Sequence, residues 1–389
     1  MGWHSRSCKG VGEAYQRFES TVTSPLVPVG LIKGRPVSFE EGDDEMPLKD
    51  PHDQLFQALH GAGLSRSHIR KMLPDWWTDE LLDDQAARIE LDISLSRMFG
   101  LKLSNLLQDR PLVTFELPGG AKYKRSRRIG EGELAQATSI IHSISKMVVA
   151  CVSTDFVPLP TDPLVVRREV LAKHPKRVSL MAMIDYLWSH GIPTIHVSEM
   201  PDGLKKMDGL VLRIDDRPVV VLCKRSTYEA WHLFIVAHEL AHCALGHVEG
   251  DEVLVDCTLG EESYLMGEAD LEEVAADEFS IAALNGDHGV IYTSDVSANA
   301  SQLANAALSY QRAHGVDAGH IILNYGHHNS AWAVAQAALR QIDKGYAPRK
   351  INQFLLDHLD LGWLPESSAE YLLKVTGMDS IYGLGDTAE

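Results

Sequence analysis

The stretch from about Tyr228 to Leu245 limits what this chain can become more than any other. It reads as a strongly apolar helix ended by Gly246, yet it carries His238, Glu239 and His242 in its middle. Two histidines four residues apart lie on one helical face, separated by about 6 Å along the axis, so both imidazoles can reach a single cation. Glu239 is turned far enough round the helix to miss that cation and still reach a water beside it. Burying two imidazoles and a carboxylate in an apolar helix is costly unless something satisfies them. A second helix thirty-odd residues later offers Glu273 and Asp277, again one turn apart. Glu273 would complete a His₂Glu set with a fourth position open. Asp277 would accept a hydrogen bond from a ligand histidine and fix its tautomer. The cofactor these donors call for is Zn2+.

The hydrophobic periodicity before that helix changes along the chain. Residues 1–50 read as a weakly structured arm. Residues 51–110 read as a helical unit: Leu55, Phe56 and Leu59 share a face, Ser65 starts a short helix that Pro74 stops, and a longer amphipathic segment runs through Leu91, Leu95 and Phe99 to Gly100. Arg66, Arg70 and Lys71 on the short helix are the candidate contacts for nucleic acid or a partner protein, because short helix, turn and helix outline a helix-turn-helix. Against DNA stands the balance of nine acidic and seven basic residues in this unit, where a DNA reader displays a basic footprint. Residues 111–175 hold a basic run, Lys122 to Arg128, read as a solvated loop. A long helix from Glu131 to about Val152 and a proline-rich linker over 157–163 follow. From Val178 a helix leads to a strand at 194–197 and then to a hairpin, 209–214 and 218–223, turning at Asp215-Asp216. The metal-binding unit is expected to span 176–345, and 346–389 to be a helical C-terminal segment.

Charge sharpens this picture. The chain has 389 residues and a formal charge of −18. From Ser226 to Gln311 there is no Lys or Arg, while sixteen Asp or Glu occur there. Most of these carboxylates read as an acidic solvated loop around 249–270, and a few as a region that holds a cation or attracts a basic polypeptide; the overall balance argues against whole-chain binding to nucleic acid or anionic membrane. The longest uninterrupted apolar run, Met147 to Val152, is too short to span a bilayer, so no membrane partner is expected. Five scattered cysteines without a CxxC, and an N-terminus lacking a signal peptide's apolar core, fit a reduced, cytoplasmic setting.

His238-Glu239-Leu240-Ala241-His242, preceded by Phe234 and Ala237 and followed by Glu273, Ala276, Asp277 and Phe279, resembles the ImmA/IrrE metallopeptidase family. Gly191-Ile192-Pro193, Asp208-Gly209 and Arg217 to Val221 share the likeness, which covers roughly 175–345. The segment Arg97-Met98-Phe99-Gly100-Leu101-Lys102-Leu103 resembles the XRE-type DNA-binding helical domain. The resemblance implies an α+β chain: a zincin-like metallopeptidase domain, with a small sheet and active-site helices, joined to an N-terminal helix-turn-helix-like unit. Members of that family cut DNA-binding repressors during stress or mobile-element induction. Ala241 stands where the family usually has glycine, and the acidic segment between the ligand helices is longer than usual.

The expected chemistry is peptide hydrolysis by a zinc-bound water whose proton Glu239 takes and passes to the leaving amine. Candidates to stabilise the oxyanion are His320, Tyr264, Tyr325, His327 and His328, with His320 foremost because it begins an apolar segment. His247, five beyond His242 and past Gly246, is read as a non-ligand, and Cys243 as a core residue. The competing reading is a zinc-containing transcriptional regulator or antitoxin-like binding protein without peptidase activity. The open coordination position and the intact Glu239 argue against it, since structural zinc sites are normally closed by four protein ligands.

Overall fold

The structure, a computed structural model, describes residues 4–7, 51–108, 111–117, 120–124, 131–201, 207–248, 252–256, 271–286, 290–293 and 299–382. In chain order its elements are His4–Ser7 (β1), Pro51–Gly61 (α1), Arg66–Met72 (α2), Gln85–Phe99 (α3), Leu103–Leu106 (α4), Gly120–Lys124 (β2), Glu131–Ala150 (α5), Pro163–Lys173 (α6), Leu180–Ser189 (α7), Thr194–His196 (β3), Gly209–Ile214 (β4) and Arg217–Leu222 (β5). There follow Glu229–Leu245 (α8), Glu252–Asp256 (β6), Leu271–Asn285 (α9), Val290–Thr293 (β7), Ala300–His314 (α10), Ala318–His328 (α11), Trp332–Ile342 (α12), Ala347–His358 (α13), Glu366–Thr376 (α14) and Asp379–Tyr382 (α15). The class is α+β. No helix among the described residues is long and apolar enough to cross a membrane.

The sheet is built outward from the hairpin. Asp215 and Asp216 both take positive φ, 48° and 64°, which gives the two-residue turn the twist that antiparallel strands require. β4 and β5 pair through it, β3 adds parallel to β5, and β6 adds antiparallel to β4 with Gly209 opposite Asp256. β2 pairs in parallel with β6, giving the order β2-β6-β4-β5-β3. Asn352 of α13 closes the β3 edge: its Oδ1 accepts from the His196 N–H at 2.9 Å, and its Nδ2 donates to the His196 carbonyl at 2.7 Å and to that of Thr376 at 2.9 Å.

Both faces of the hairpin are buried, which is why its strands read as continuous apolar runs. Leu210, Leu212, Val219 and Val221 face a core shared with Leu59, Leu95, Phe99 and Ile144 of the N-terminal helices and with Tyr371 and Leu372 of α14. Val220 and Leu222 face the other way, onto Leu233, Val236, Ala237 and Leu240 of α8 and Ala276 and Phe279 of α9. Segments 51–108 and 366–376 thus back the same sheet on which α8 lies. A third cluster joins α10, α11 and α12, with Ala230 of α8 packed into it.

The helix boundaries follow local chemistry. Ser65 caps α2, Asp84 caps α3 and Asp162 caps α6, each accepting from a first-turn N–H. Two loop expectations need correction. The start of the expected basic loop, Lys122 to Lys124, belongs to strand β2, and His4–Ser7 of the expected arm is strand β1, paired antiparallel with β7. In both cases the extended backbone satisfies its polar groups on a strand far away in sequence, which local composition does not reveal. The rest of the 1–50 arm, the run 125–128, the acidic stretch 257–270 and Tyr264 lie outside the described residues.

Candidate metal centre

α8 lies under the sheet with His238, Glu239 and His242 all at 0% exposure. Small residues bring α9 close: Ala237 and Ala241 of α8 and Ala276 of α9 are all fully buried where the helices meet. An alanine at 241 is therefore compatible with the contact. This approach puts the first turns of α9 beside the imidazoles. His238 Nε2 lies 3.2 Å from Glu273 Oε2, His242 Nε2 lies 3.4 Å from Glu273 Oε1, and the two Nε2 atoms are 3.0 Å apart. In a tetrahedral site with bonds of 2.0–2.2 Å, neighbouring donors stand about 3.3 Å apart, so the three separations match that geometry. His238, His242 and Glu273 form the group that could hold a metal ion, with one donor atom from each within 4.8 Å of the others.

The chemistry of the donors points the same way. Asp277 Oδ1 sits 3.0 Å from His238 Nδ1. A carboxylate only accepts, so Nδ1 carries the proton and Nε2 turns a lone pair toward the centre. That lone pair meets the Glu273 carboxylate, an arrangement that a cation relieves. Glu273 and Asp277 keep side-chain exposures of 26% and 29%, leaving the centre open on the α9 side.

Glu239, turned round the helix from the two imidazoles, comes up against the start of β4. A Cβ placed on Gly209 would stand 2.9 Å from Glu239 Oε1 and 2.4 Å from Ile235 Cγ2. The first residue of β4 has to be glycine for the carboxylate to occupy its position. In the sequence, Asp208-Gly209 stands out only through the family likeness. Its physical role appears once β4 and α8 are seen to touch.

His320 lies in the first turn of α11. Gly319 brings that helix onto α8, since a Cβ there would come within 2.7 Å of Ala230 Cβ. The His320 ring stacks on Phe234 with centroids 6.4 Å apart, and the Phe234 ring lies 6.4 Å from that of His238 in turn. Burial, with the charge of Arg167 adding to it, pushes the His320 imidazole down to about 4, so it is neutral at physiological pH. Its Nε2 is buried and has no hydrogen-bond partner among the described residues. Tyr325 is buried further along α11, while His327 lies against Trp332 and His328 is exposed. Those histidines sit about 10 Å along the helix from His320. Of the oxyanion candidates among the described residues, His320 is the one in ring contact with Phe234 of α8.

His247 is outside the donor triad, but its Nδ1 lies 2.8 Å from His242 Nδ1. Cys243 packs with Val211 and Val248, and burial pushes its thiol up. The three basic residues of α2 share two carboxylates and stay about half exposed. Arg66 and Arg70 both pair with Asp79, and Lys71 pairs with Glu199 at 2.8 Å. Arg66 also lies over the Phe56 ring.

No protein-family model, curated protein or solved structure matches the chain.

Proposed function

We propose that the chain is a zinc-dependent metalloendopeptidase of the ImmA/IrrE type, with a zincin-like catalytic unit, acting on a basic DNA-binding repressor. The observation that carries the reading is the convergence of His238, His242 and Glu273 at 3.0–3.4 Å beside a buried Glu239 on the same helix as the two histidines. A divalent ion held there would polarise the scissile carbonyl and acidify water to a pKa of about 7.

The chain's own residues supply the rest. Glu239, seated in the space left by Gly209, takes the proton of the attacking water and passes it to the leaving amine. His320 donates a hydrogen bond from a neutral, dry imidazole to the oxygen that becomes negative. Its lack of a partner fits that task, because a buried polar atom kept unsatisfied calls for a functional explanation. Asp277 holds His238 in the tautomer that presents Nε2. A basic polypeptide suits a centre set in a segment with sixteen carboxylates and no Lys or Arg over 226–311.

The test compares the parent with Glu239→Gln on a repressor encoded beside the gene. The variant keeps its zinc and loses cleavage by about 10²–10⁴-fold. Equal cleavage by both proteins refutes the mechanism. Zinc binding by a parent that cuts no repressor supports instead a metal-containing regulator.

A further inference from the structure

The two imidazoles of the centre are oriented differently. His238 turns Nδ1 to a carboxylate, Asp277, at 3.0 Å, whereas His242 turns Nδ1 to another imidazole, His247, at 2.8 Å. The His242 and His247 rings meet at 62° with centroids 5.0 Å apart, a geometry set by the end of α8. Gly246 takes φ +72°, the left-handed conformation that ends a helix, and the His247 N–H returns to the His242 carbonyl at 3.0 Å. The turn therefore folds His247 back onto the residue five positions before it.

Two nitrogens at 2.8 Å share one proton, and its position decides what His242 can do. With the proton on His247 Nδ1, His242 accepts there and presents Nε2–H to the centre, 3.0 Å from His238 Nε2. That state cannot ligate through Nε2. With the proton on His242 Nδ1, His247 accepts, and His242 turns a second lone pair to the centre. We propose that His247 is the positioning residue that holds His242 in its ligating tautomer. Resting on the metal-centre part of the function proposed above, this assigns His247 a role that its exclusion from the ligand set had hidden. A neutral imidazole fixes the tautomer without adding another negative charge, so the cation's pull on a carbonyl is weakened less than by a second carboxylate. Outer hydrogen-bond partners of metal-binding histidines are generally worth 10–100-fold in affinity.

Full-length protein carrying His247→Phe or His247→Asn tests this. Phenylalanine keeps a ring and removes the acceptor. Asparagine places its Oδ1 near the Nδ1 position and restores one. Zinc affinity is read by titration against a chromophoric chelator, and the visible absorption of Co2+-substituted protein reports the coordination geometry. The expected result is a 10–100-fold loss of zinc affinity in His247→Phe, recovery to within a few-fold of the parent in His247→Asn, and equal melting temperatures of the three metal-free proteins. Zinc affinity of the phenylalanine variant within two-fold of the parent overturns the proposal, as does an asparagine variant no better than phenylalanine. A parent that binds no zinc overturns it too, together with the peptidase reading. A parent that binds zinc, follows the series and cleaves nothing overturns the peptidase reading alone.

Discussion

Replacing Gly209 by alanine tests whether the start of β4 sets the position of Glu239. The added Cβ would stand 2.4 Å from Ile235 Cγ2 and 2.9 Å from Glu239 Oε1. Ordinary contacts begin near 3.4 Å, so the carboxylate has to give way by about 0.5 Å and the isoleucine methyl by about 1 Å. Ile235 is 1% exposed and Gly209 is locked into ladders with Leu222 and Asp256, so neither backbone can simply retreat. Overpacking of this kind costs about 1–3 kcal/mol of stability. The displacement of a proton-transfer group lowers kcat by about 10–100-fold, since misplacements of about 1 Å carry penalties of that order. Chemical denaturation measures the first effect and repressor cleavage the second, with zinc content checked in both proteins. The expected signature is lower kcat at unchanged metal content. A Gly209→Ala protein that cleaves at the parental rate refutes the claim that this contact holds Glu239.

Two further outcomes are expected. His320→Phe keeps the stacking on Phe234 and removes the donor, so kcat falls by about 10²–10³-fold while KM and zinc content hold; a change confined to KM assigns His320 to packing. His232, at 0% exposure, is pushed down to about 3 by burial and by its neighbour His196, and its Nε2 lies 2.6 Å from the Ser226 carbonyl. Its folded pKa is below the unfolded value near 6.5, so the stability it contributes is present above that value and is lost as pH falls below it. Between pH 7.5 and 5.5 the loss is about 1.4 kcal/mol, and His232→Gln, compared metal-free with the parent, removes that much of the pH dependence. Identical pH slopes in the two proteins contradict the assignment.

What could be read in the sequence was local. The four-residue spacing of His238 and His242, the one-turn spacing of Glu273 and Asp277, the Asp215-Asp216 turn and the caps at Ser65 and Gly246 each depend on a few neighbouring residues, and each appears where the periodicity places it. What could not be read depends on residues distant in the chain. The pairing of Arg66 and Arg70 with Asp79, and of Lys71 with Glu199, is of this kind. β2 looks like a charged loop until β6 supplies its ladder. His247 falls between these cases. Its place beyond Gly246 keeps it out of the donor triad, but only the left-handed turn there shows that its ring reaches back to His242.

The charges around α8 are consistent with the cation proposed above. Three converging donors, one a carboxylate, could in principle be satisfied by a lysine or arginine, as buried acids in proteins often are. The segment 226–311, which supplies all three, contains neither residue. Among the described residues, four basic side chains on neighbouring elements have partners of their own. Lys224 holds Asp208 at 2.6 Å, Lys350 pairs with Glu229, and Arg167 of α6 is spent on the carbonyls of Ala283, Leu284, His314 and Gly315 at the ends of α9 and α10. Arg213 donates to the Asp216 carbonyl in the hairpin turn. These pairings among the described residues fit the proposed reading, in which a cation is held by His238, His242 and Glu273. A small divalent ion fits donors that stand 3.0–3.4 Å apart.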